Sequence, residues 1–282
     1  MTPEEYNEES QDRFGWSPED FGLSEDAEDS EIVEAVIAFQ HSRGLTPDGK
    51  VAPMTWGRLQ THLEYTKSTA SGEWSILSNG SYVEVDFPCI PAAEGSTYSL
   101  IGEGGYSKRR APIYQVVWHW DAALSAKSAH KILLKRNLAY HGVIDNDGTF
   151  VQFLDFGKHA AWHAGRGFNT HSIGISISNA VYKKYQDYYT KRWGARPEIE
   201  ASVHGRMQEL LGYYPAQIET ATKLAAFIEK EYGVELVTPD TDTVFDNSKL
   251  YEGHIAHYHC TKKKWDVAGF PLQQIMEDAS NV

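Results

Sequence analysis

The sequence predicts an α/β domain preceded by a small helical bundle, and three observations support this fold class. From residue 112 onward, apolar strand-like segments alternate with amphipathic helical segments. Before residue 65, apolar residues at helical spacing recur in two short segments joined by a turn. The chain has 282 residues, 41% of them hydrophobic, which suits more than one domain and fewer than three. We therefore predict three regions: 1–64, 65–111 and 112–282.

Negative charge is concentrated at the start of the chain. Residues 1–34 hold 13 acidic side chains and one basic side chain, Arg13, within a formal net charge of −13. We expect the first ~20 residues to form a solvated acidic arm. The remaining sequence is nearly neutral, which argues against nucleic acid as a partner and against attraction to anionic lipid. No apolar run reaches the ~18 residues that a membrane-spanning helix needs, so no membrane insertion is expected.

The first region contains two predicted helices. Residues 30–43 carry apolar side chains at helical spacing, with Gly44 placed as a C-terminal cap, and Pro53 opens the second helix. The segment AVIAFQHSRGLTPDGKVAPMTWGRL resembles the repeat of the bacterial peptidoglycan-binding domain, with Ala52 where that family usually has glycine. The matching residues are Val36, Phe39, Gln40, Gly44, Leu45, Asp48, Gly49, Thr55 and Leu59. The resemblance implies a three-helix bundle that binds peptidoglycan.

The second region combines a predicted hairpin with a connector. Alternating apolar residues between 74 and 85 flank Asn79-Gly80, a pair that tolerates the positive φ angles of a two-residue hairpin turn. Glycine, serine and proline are frequent in the residues that follow, which indicates a connector or a surface loop.

The third region has the strand and helix pattern of an α/β domain. Buried strands are predicted at 114–120 and 172–178, and a hairpin at 142–154. Helices are predicted at 125–137, which a serine opens, and at 215–232, which Gly233 follows.

Histidines suggest a metal site in this region. A hydrolytic zinc site needs three protein ligands and an open position for water. One histidine from a strand, with a histidine and a carboxylate from a distant loop, meets this requirement. A histidine-rich surface loop with adventitious metal affinity fits the spacing equally well. The candidate ligands are His119, His254, His257, His259, Cys260 and Asp266.

Four motifs give this region a family resemblance. They are VVWHW, AYHGVIDNDGTF, AWHAGRGFNTHSIGI and HYHCTKKKWD, in that order along residues 112–272. Together they resemble the type 2 N-acetylmuramoyl-L-alanine amidases, a family shared by phage lysins, bacterial cell-wall amidases and peptidoglycan-recognition proteins. The resemblance implies a mixed central sheet with flanking helices and a zinc site at one edge.

The resemblance also implies a ligand set. The family's zinc ligands fall on His119, on Asp266 and on one histidine of the last motif. His257 is preferred because it begins the His-Tyr-x-x-Thr run, and His254 and His259 are the alternatives. Cys260 is a weaker alternative, because in members with a cysteine ligand that residue replaces the aspartate.

The implied reaction is hydrolysis of the amide between N-acetylmuramic acid and L-alanine in peptidoglycan. Zinc polarises the carbonyl and lowers the pKa of water to ~7. Lys264 matches the family's cationic oxyanion stabiliser, and Tyr140 matches the residue that orients or deprotonates the water in phage lysins. His163 is expected to contact substrate or to support a ligand. Ser176 stands where bacterial recycling amidases have glutamate, so the chain resembles the lysin and recognition-protein branch.

Two other functions compete with this hypothesis. The same fold can bind peptidoglycan without cutting it when a zinc ligand is missing. A zinc peptidase acting on the stem peptide is a weaker hypothesis, because no His-Glu-x-x-His motif occurs. Residues 182–213 have no counterpart in the minimal family; their aromatic residues predict either a sugar-stacking wall or the packed face of an extra helix. Those aromatic residues are Tyr185, Tyr188, Tyr189 and Trp193.

The N-terminus shows neither a basic nor an apolar secretory segment. We expect synthesis in the cytoplasm and action on the cell wall after lysis or after delivery by a secretion machine. A phage endolysin fits this expectation, and so does a delivered effector, for which an immunity protein would be a partner.

Overall fold

The computed structural model describes residues 1–68 and 74–282, without the side chains of 64–68. By its contacts the chain divides into two compact units. One contains the N-terminal helices and Asp187–Ala195, and the other contains every strand that the structure describes. The predicted boundary between 1–64 and 65–111 falls within a helix, and residues 69–73 of the predicted connector lie outside the described residues.

The first unit contains the predicted three-helix bundle. Its helices are α1 (Pro3–Phe14), α2 (Asp29–Ser42) and α3 (Pro53–Ser68). They enclose a small apolar core formed by Trp16, Ile32, Val36, Val51 and Leu59. The predicted bundle is therefore confirmed, and its third helix is the one that precedes the two predicted from sequence.

The expected acidic arm is wrong, because α1 is a capped and packed helix. Thr2 and Glu5 form a capping box at its start, and Gly15 ends it in the left-handed conformation. Buried Asn7 donates a hydrogen bond to Gly49 O (2.9 Å) and accepts one from the backbone N–H of Val51 (2.8 Å). Charge composition suggested a solvated segment, whereas the cap and this one buried amide fix the helix to the rest of the bundle.

The second unit is built on twelve strands and four helices among the described residues. The strands are β1 (Ser75–Ser78), β2 (Ser81–Glu84), β3 (Cys89–Ile90), β4 (Tyr106–Lys108), β5 (Gln115–Trp120), β6 (Gly142–Ile144), β7 (Phe150–Gln152), β8 (His159–Ala161), β9 (Ser172–Ile177), β10 (Glu198–Val203), β11 (Arg206–Leu211) and β12 (Gly253–Ala256). The helices are α4 (Ala126–Arg136), α6 (Pro215–Tyr232), α7 (His257–Cys260) and α8 (Leu272–Ala279), while the short α5 (Gln186–Thr190) spans the border between the units.

Six of these strands form a mixed sheet in the order β12-β5-β9-β6-β7-β3. The first four are mutually parallel, β7 runs antiparallel to β6, and β3 is parallel to β7. Every residue of β5 and β9 is buried. This explains why β5 is mostly apolar in sequence and why β9 places only serine and glycine between its isoleucines. The predicted mixed α/β fold is confirmed. No helix in the described part of the chain is long and apolar enough to cross a membrane.

The turn and cap signals of the sequence are found at the predicted places. Asn79 and Gly80 have φ angles of 52° and 86° in the turn between β1 and β2. Ser125 caps α4, and Gly233 ends α6 in the left-handed conformation. The connector differs from expectation because it supplies β3 to the central sheet and β4 as the partner of β8. Strands of two and three residues leave too little alternation to be read from sequence.

The aromatic insertion is packed rather than laid out as a wall. Tyr188, Tyr189 and Trp193 lie with ring centroids 5.8 to 6.2 Å apart, and Tyr189 is buried. The rest of the insertion forms the antiparallel hairpin of β10 and β11. Tyr189 therefore belongs to a packed cluster, and sugar stacking by the half-buried Tyr188 and Trp193 stays a prediction.

Candidate metal centre

Sheet register brings the two central histidines together. Ala256, the last residue of β12, pairs with Trp118 of the parallel strand β5. His257 and His119 follow these two residues and therefore become neighbours at the carboxyl ends of adjacent strands. The chain then returns through α7, where Tyr258 N–H donates to the carbonyl of Asp266 (2.8 Å) and holds Asp266 beside them.

Three potential ligand atoms converge at this point. His119 Nδ1 lies 3.0 Å from His257 Nδ1 and 3.2 Å from Asp266 Oδ2, and His257 Nδ1 lies 2.7 Å from the same carboxylate oxygen. All three side chains are buried. Within the described residues, this is the one group of three or more such side chains that could hold a metal ion, and Cys260 is not part of it.

A hydrogen-bond chain behind His119 leaves its Nδ1 with a free lone pair. Ser172 Oγ donates its proton to Phe168 O (2.7 Å), so it can only accept from His163 Nε2 (3.0 Å). His163 Nδ1 must then accept from His119 Nε2–H (3.0 Å). His163 fits against β9 because residue 174 is glycine: a Cβ there would lie 2.5 Å from His163 Cγ.

Burial keeps His119 and His163 neutral, and the carboxylate of Asp266 is ionised. Burial, followed by the nearby His257, lowers the pKa of His119 to about 4. Burial also lowers the pKa of His163 well below its ordinary value. Burial opposes ionisation of Asp266, but the adjacent imidazoles of His119 and His257 outweigh it and lower the pKa of that carboxyl.

This donor set fits a zinc ion. Tetrahedral zinc with ligands at about 2.0–2.1 Å places neighbouring ligand atoms about 3.3 Å apart. The three observed separations of 2.7, 3.0 and 3.2 Å are close to that triangle. Imidazole nitrogen and carboxylate oxygen are both usual zinc ligands.

The two alternative histidines are engaged elsewhere. Trp118 Nε1 donates to His254 Nδ1 (3.1 Å). The backbone N–H of Ala256 donates to His259 Nδ1 (3.0 Å), and His259 Nε2 donates to Thr241 O (2.8 Å). Of the three histidines in the last motif, His257 is the one that the structure places beside His119 and Asp266.

Of the two predicted catalytic residues, Tyr140 lies beside this group and Lys264 is close to it in sequence. The Tyr140 ring is 4.9 Å from the His119 ring, and burial raises the pKa of its hydroxyl. Lys264 is exposed and stands two residues before Asp266. Burial is the main cause of the lowered pKa of His119, and the positive charge of Lys264 is the smallest of the causes.

Comparison with known families agrees with this geometry. Residues 109–268, more than half of the chain, match the family described as N-acetylmuramoyl-L-alanine amidase. The chain belongs to this amidase family. Residues 13–59 match a second family, the peptidoglycan binding domain. No curated protein matches the chain.

Solved structures include distant neighbours of this chain. LysC, an N-acetylmuramoyl-L-alanine amidase from Clostridium intestinale, is 15% identical with a TM-score of 0.42 over 68% of this chain and 96% of its own. AmiD from E. coli is 20% identical with a TM-score of 0.39 over 61% of this chain and 60% of its own. The Ph2119 endolysin from a Thermus scotoductus bacteriophage is 14% identical with a TM-score of 0.38 over 63% and 91%. The family membership rests on the sequence match and not on these similarities.

One buried residue that supports this site, Arg109, could not be found from the sequence. Arg109 lies at the start of the family match, in a stretch assigned to the connector. Its guanidinium donates to Phe156 O (3.0 Å), Thr170 O (2.9 Å) and Ser172 O (2.9 Å). It thereby fixes the strand that carries Ser172. An arginine in a loop-like sequence gives no local sign that it is buried.

Proposed function

We propose that this chain is a zinc-dependent hydrolase of the amide bond between N-acetylmuramic acid and L-alanine in peptidoglycan. The observation that carries the proposal is the buried group of His119, His257 and Asp266. A binding-only member of the family would lack a ligand, whereas this set is complete, so the enzyme is favoured over the binder.

In this proposal His119, His257 and Asp266 hold the zinc ion. Zinc in such a site acts as a Lewis acid towards a carbonyl and lowers the pKa of water to about 7. Two imidazoles and one carboxylate would leave a net positive charge at the ion, which would suit the stabilisation of a developing oxyanion.

Tyr140 is proposed to orient the attacking water. Burial raises the pKa of its hydroxyl, so the phenol keeps its proton at neutral pH. A protonated phenol donates one hydrogen bond and accepts another, which can align a water but does not remove its proton. Of the two roles that the resemblance allows, orientation is therefore favoured over deprotonation.

Lys264 is proposed to stabilise the negative charge that develops on the amide oxygen. It is exposed, and it follows Lys262 and Lys263, which are exposed as well. Its own backbone is held in place, because His204 Nε2 donates to Lys264 O (2.8 Å).

His163 is proposed mainly to orient His119. Both of its ring nitrogens already have partners, His119 Nε2 and Ser172 Oγ, each at 3.0 Å. Such outer hydrogen bonds fix the tautomer of a ligand histidine. The sequence-based role of His163 in binding substrate stays a prediction.

The domain roles are part of the same proposal. Residues 1–64 would bind peptidoglycan, 65–111 would connect the regions, and 112–282 would carry the catalytic residues. The match of 13–59 to the peptidoglycan binding domain family supports the first role. The protein would reach the wall after lysis or through a delivery machine.

The test is mass spectrometry of digested sacculi with zinc present. Wild-type protein should release free stem peptides that begin with L-alanine, and His257→Ala should release none. If wild-type protein binds sacculi but releases no such peptide at any zinc concentration, the enzyme is excluded and the binding-only function takes its place.

A further inference from the structure

The inserted hairpin of β10 and β11 lines a cavity. Strands β10 and β11 and the loop before Asp266 line a cavity of about 510 Å³. This volume lies within the range of ligand pockets, about 300–1,000 Å³. We call it the basic cleft, lined by Val203, His204, Arg206, Gln208, Lys262, Lys263, Lys264 and Trp265.

Strand register determines which side chains of the hairpin face the loop. Gln208 pairs with Ala201, and pairs directly opposite each other share one face of a hairpin. On that face, Ile199 and Ala201 pack against Gly269, where a Cβ would lie 2.6 Å from Ile199 Cδ1 and 3.3 Å from Ala201 Cβ. Arg206, opposite Val203, continues the same face into the cleft.

The acidic residues of the hairpin lie on its other face. Glu198, Glu200 and Glu209 alternate with the cleft-facing positions. Lys183 pairs with Glu198 (3.1 Å) and with Glu209 (2.9 Å) on that outer side. The hairpin therefore separates its charges and presents an arginine, not a carboxylate, to the cleft.

Positive charge in the cleft is not neutralised by the protein. No carboxylate is among its lining residues. Within the described part of the chain, no carboxylate lies at ion-pair distance from Arg206, Lys262, Lys263 or Lys264. The rest of the sequence after residue 34 is nearly neutral, so four such cations around one cavity favour an anionic ligand.

The cleft adjoins the reaction centre. Trp265 packs edge-on against Trp120, the residue after His119, with ring centroids 4.6 Å apart. A peptidoglycan substrate carries N-acetylated sugars on one side of the scissile amide and a peptide with free carboxylates on the other. Arginine and lysine bind carboxylates through charge-assisted hydrogen bonds.

We propose that the basic cleft binds the carboxylates of the stem peptide, an inference that rests on the proposed amidase function. The insertion would then select substrates by the charge of their peptide. Stem peptides with free carboxylates would be preferred over those whose carboxylates are amidated.

The test uses the full chain and removes three charges without touching Lys264. Arg206→Gln, Lys262→Gln and Lys263→Gln are combined in one variant. The control combines Lys127→Gln, Lys131→Gln and Lys135→Gln, three exposed lysines of α4. Substrates are a soluble muropeptide with free carboxylates and the same muropeptide with those groups amidated. We expect KM to rise about tenfold or more for the free-carboxylate substrate, with kcat, zinc content and the amidated substrate unaffected.

A binding measurement separates this inference from the amidase function. Calorimetry with the free stem peptide reports on the cleft whether or not hydrolysis occurs. Binding that the cleft variant loses and the control keeps supports the inference even if no amidase activity is found. Unchanged KM and peptide binding would overturn it, as would equal losses for both substrates. A loss confined to phosphate-bearing wall polymer would overturn it as well.

Discussion

The helical unit and the metal centre each bury a polar network, but the two networks differ in chemistry. In the helical unit, Gln40 donates to Asp48 Oδ1 (2.8 Å) and to Lys50 O (3.0 Å), and its own carbonyl accepts from Gly49 N–H (2.9 Å). The Gln40 amide group and the Gly49 N–H therefore both find acceptors. In the metal centre, two acceptors, His119 Nδ1 and Asp266 Oδ2, lie 3.2 Å apart, and His257 Nδ1 lies within 3.0 Å of both.

The contrast separates a structural network from a functional one. A buried network whose donors and acceptors match needs nothing from outside and contributes to stability. A cluster of acceptors needs a proton or a cation between its members. Changes in the first should therefore affect folding of the helical unit, and changes in the second should affect metal content and activity.

The largest effect is expected for His257→Ala. Loss of one of three zinc ligands should reduce zinc from about one per chain to near zero and reduce peptide release to background. Elemental analysis and mass spectrometry of digested sacculi measure both. His254→Ala is the matched control, because His254 is equally buried but bonds to Trp118. Zinc retained in His257→Ala and lost in His254→Ala or His259→Ala would show that the ligand was assigned to the wrong histidine.

Tyr140→Phe should spare the metal and slow the reaction. The change removes one hydroxyl beside His119 and opens no cavity. We expect a loss of about 10²–10⁴ in kcat, the usual span for a positioned proton-handling group. Zinc content and sacculus binding should match wild type. A variant with wild-type turnover would remove Tyr140 from the mechanism while leaving the zinc site intact.

Lys264→Ala tests whether the positive charge at this position, two residues before Asp266, speeds the reaction. One oxyanion donor contributes about 2.7–4 kcal/mol to lowering the barrier, so kcat should fall about a hundredfold or more. Lys127→Ala removes an equally exposed lysine from α4 and should leave kcat unchanged. Equal losses of kcat in the two variants would mean that the overall positive charge of the protein, and not the position of Lys264, supports turnover.

Ser172→Ala should have a smaller effect, on metal affinity. Without Ser172 Oγ, His163 Nε2 loses its acceptor, and the tautomer of His119 is no longer fixed. Loss of an outer hydrogen bond of this kind typically costs about 10–100-fold in metal affinity. Competition with a zinc chelator measures it, and Ser128→Ala, outside the centre, is the control. An unchanged affinity would show that the protein holds His119 by packing alone.

These residues also mark how far the sequence could be interpreted. His119 and Asp266 could be predicted because a strand-ending histidine and the last motif are local patterns. The choice of His257 could not be decided from spacing, because it depends on the register of β12 against β5. The structural environment of Ser172 and the burial of Arg109 depend on contacts between residues distant in sequence, which no local pattern reports.

The smallest effect is expected for Gln40→Leu, which tests the structural side of the comparison. Leucine keeps much of the side-chain volume but leaves Gly49 N–H without its acceptor in a buried turn. The free energy of unfolding of the helical unit should fall by about 1–3 kcal/mol. Hydrogen exchange of the α2 amides measures this unit separately from the sheet.

Gln60→Leu makes the same change at an exposed position of α3, and its free energy of unfolding should stay within about 0.5 kcal/mol of wild type. Zinc content should be unchanged in both variants, because the ligands belong to the other compact unit. A drop in zinc content for Gln40→Leu alone would mean that the two networks are coupled, and the distinction between them would fail.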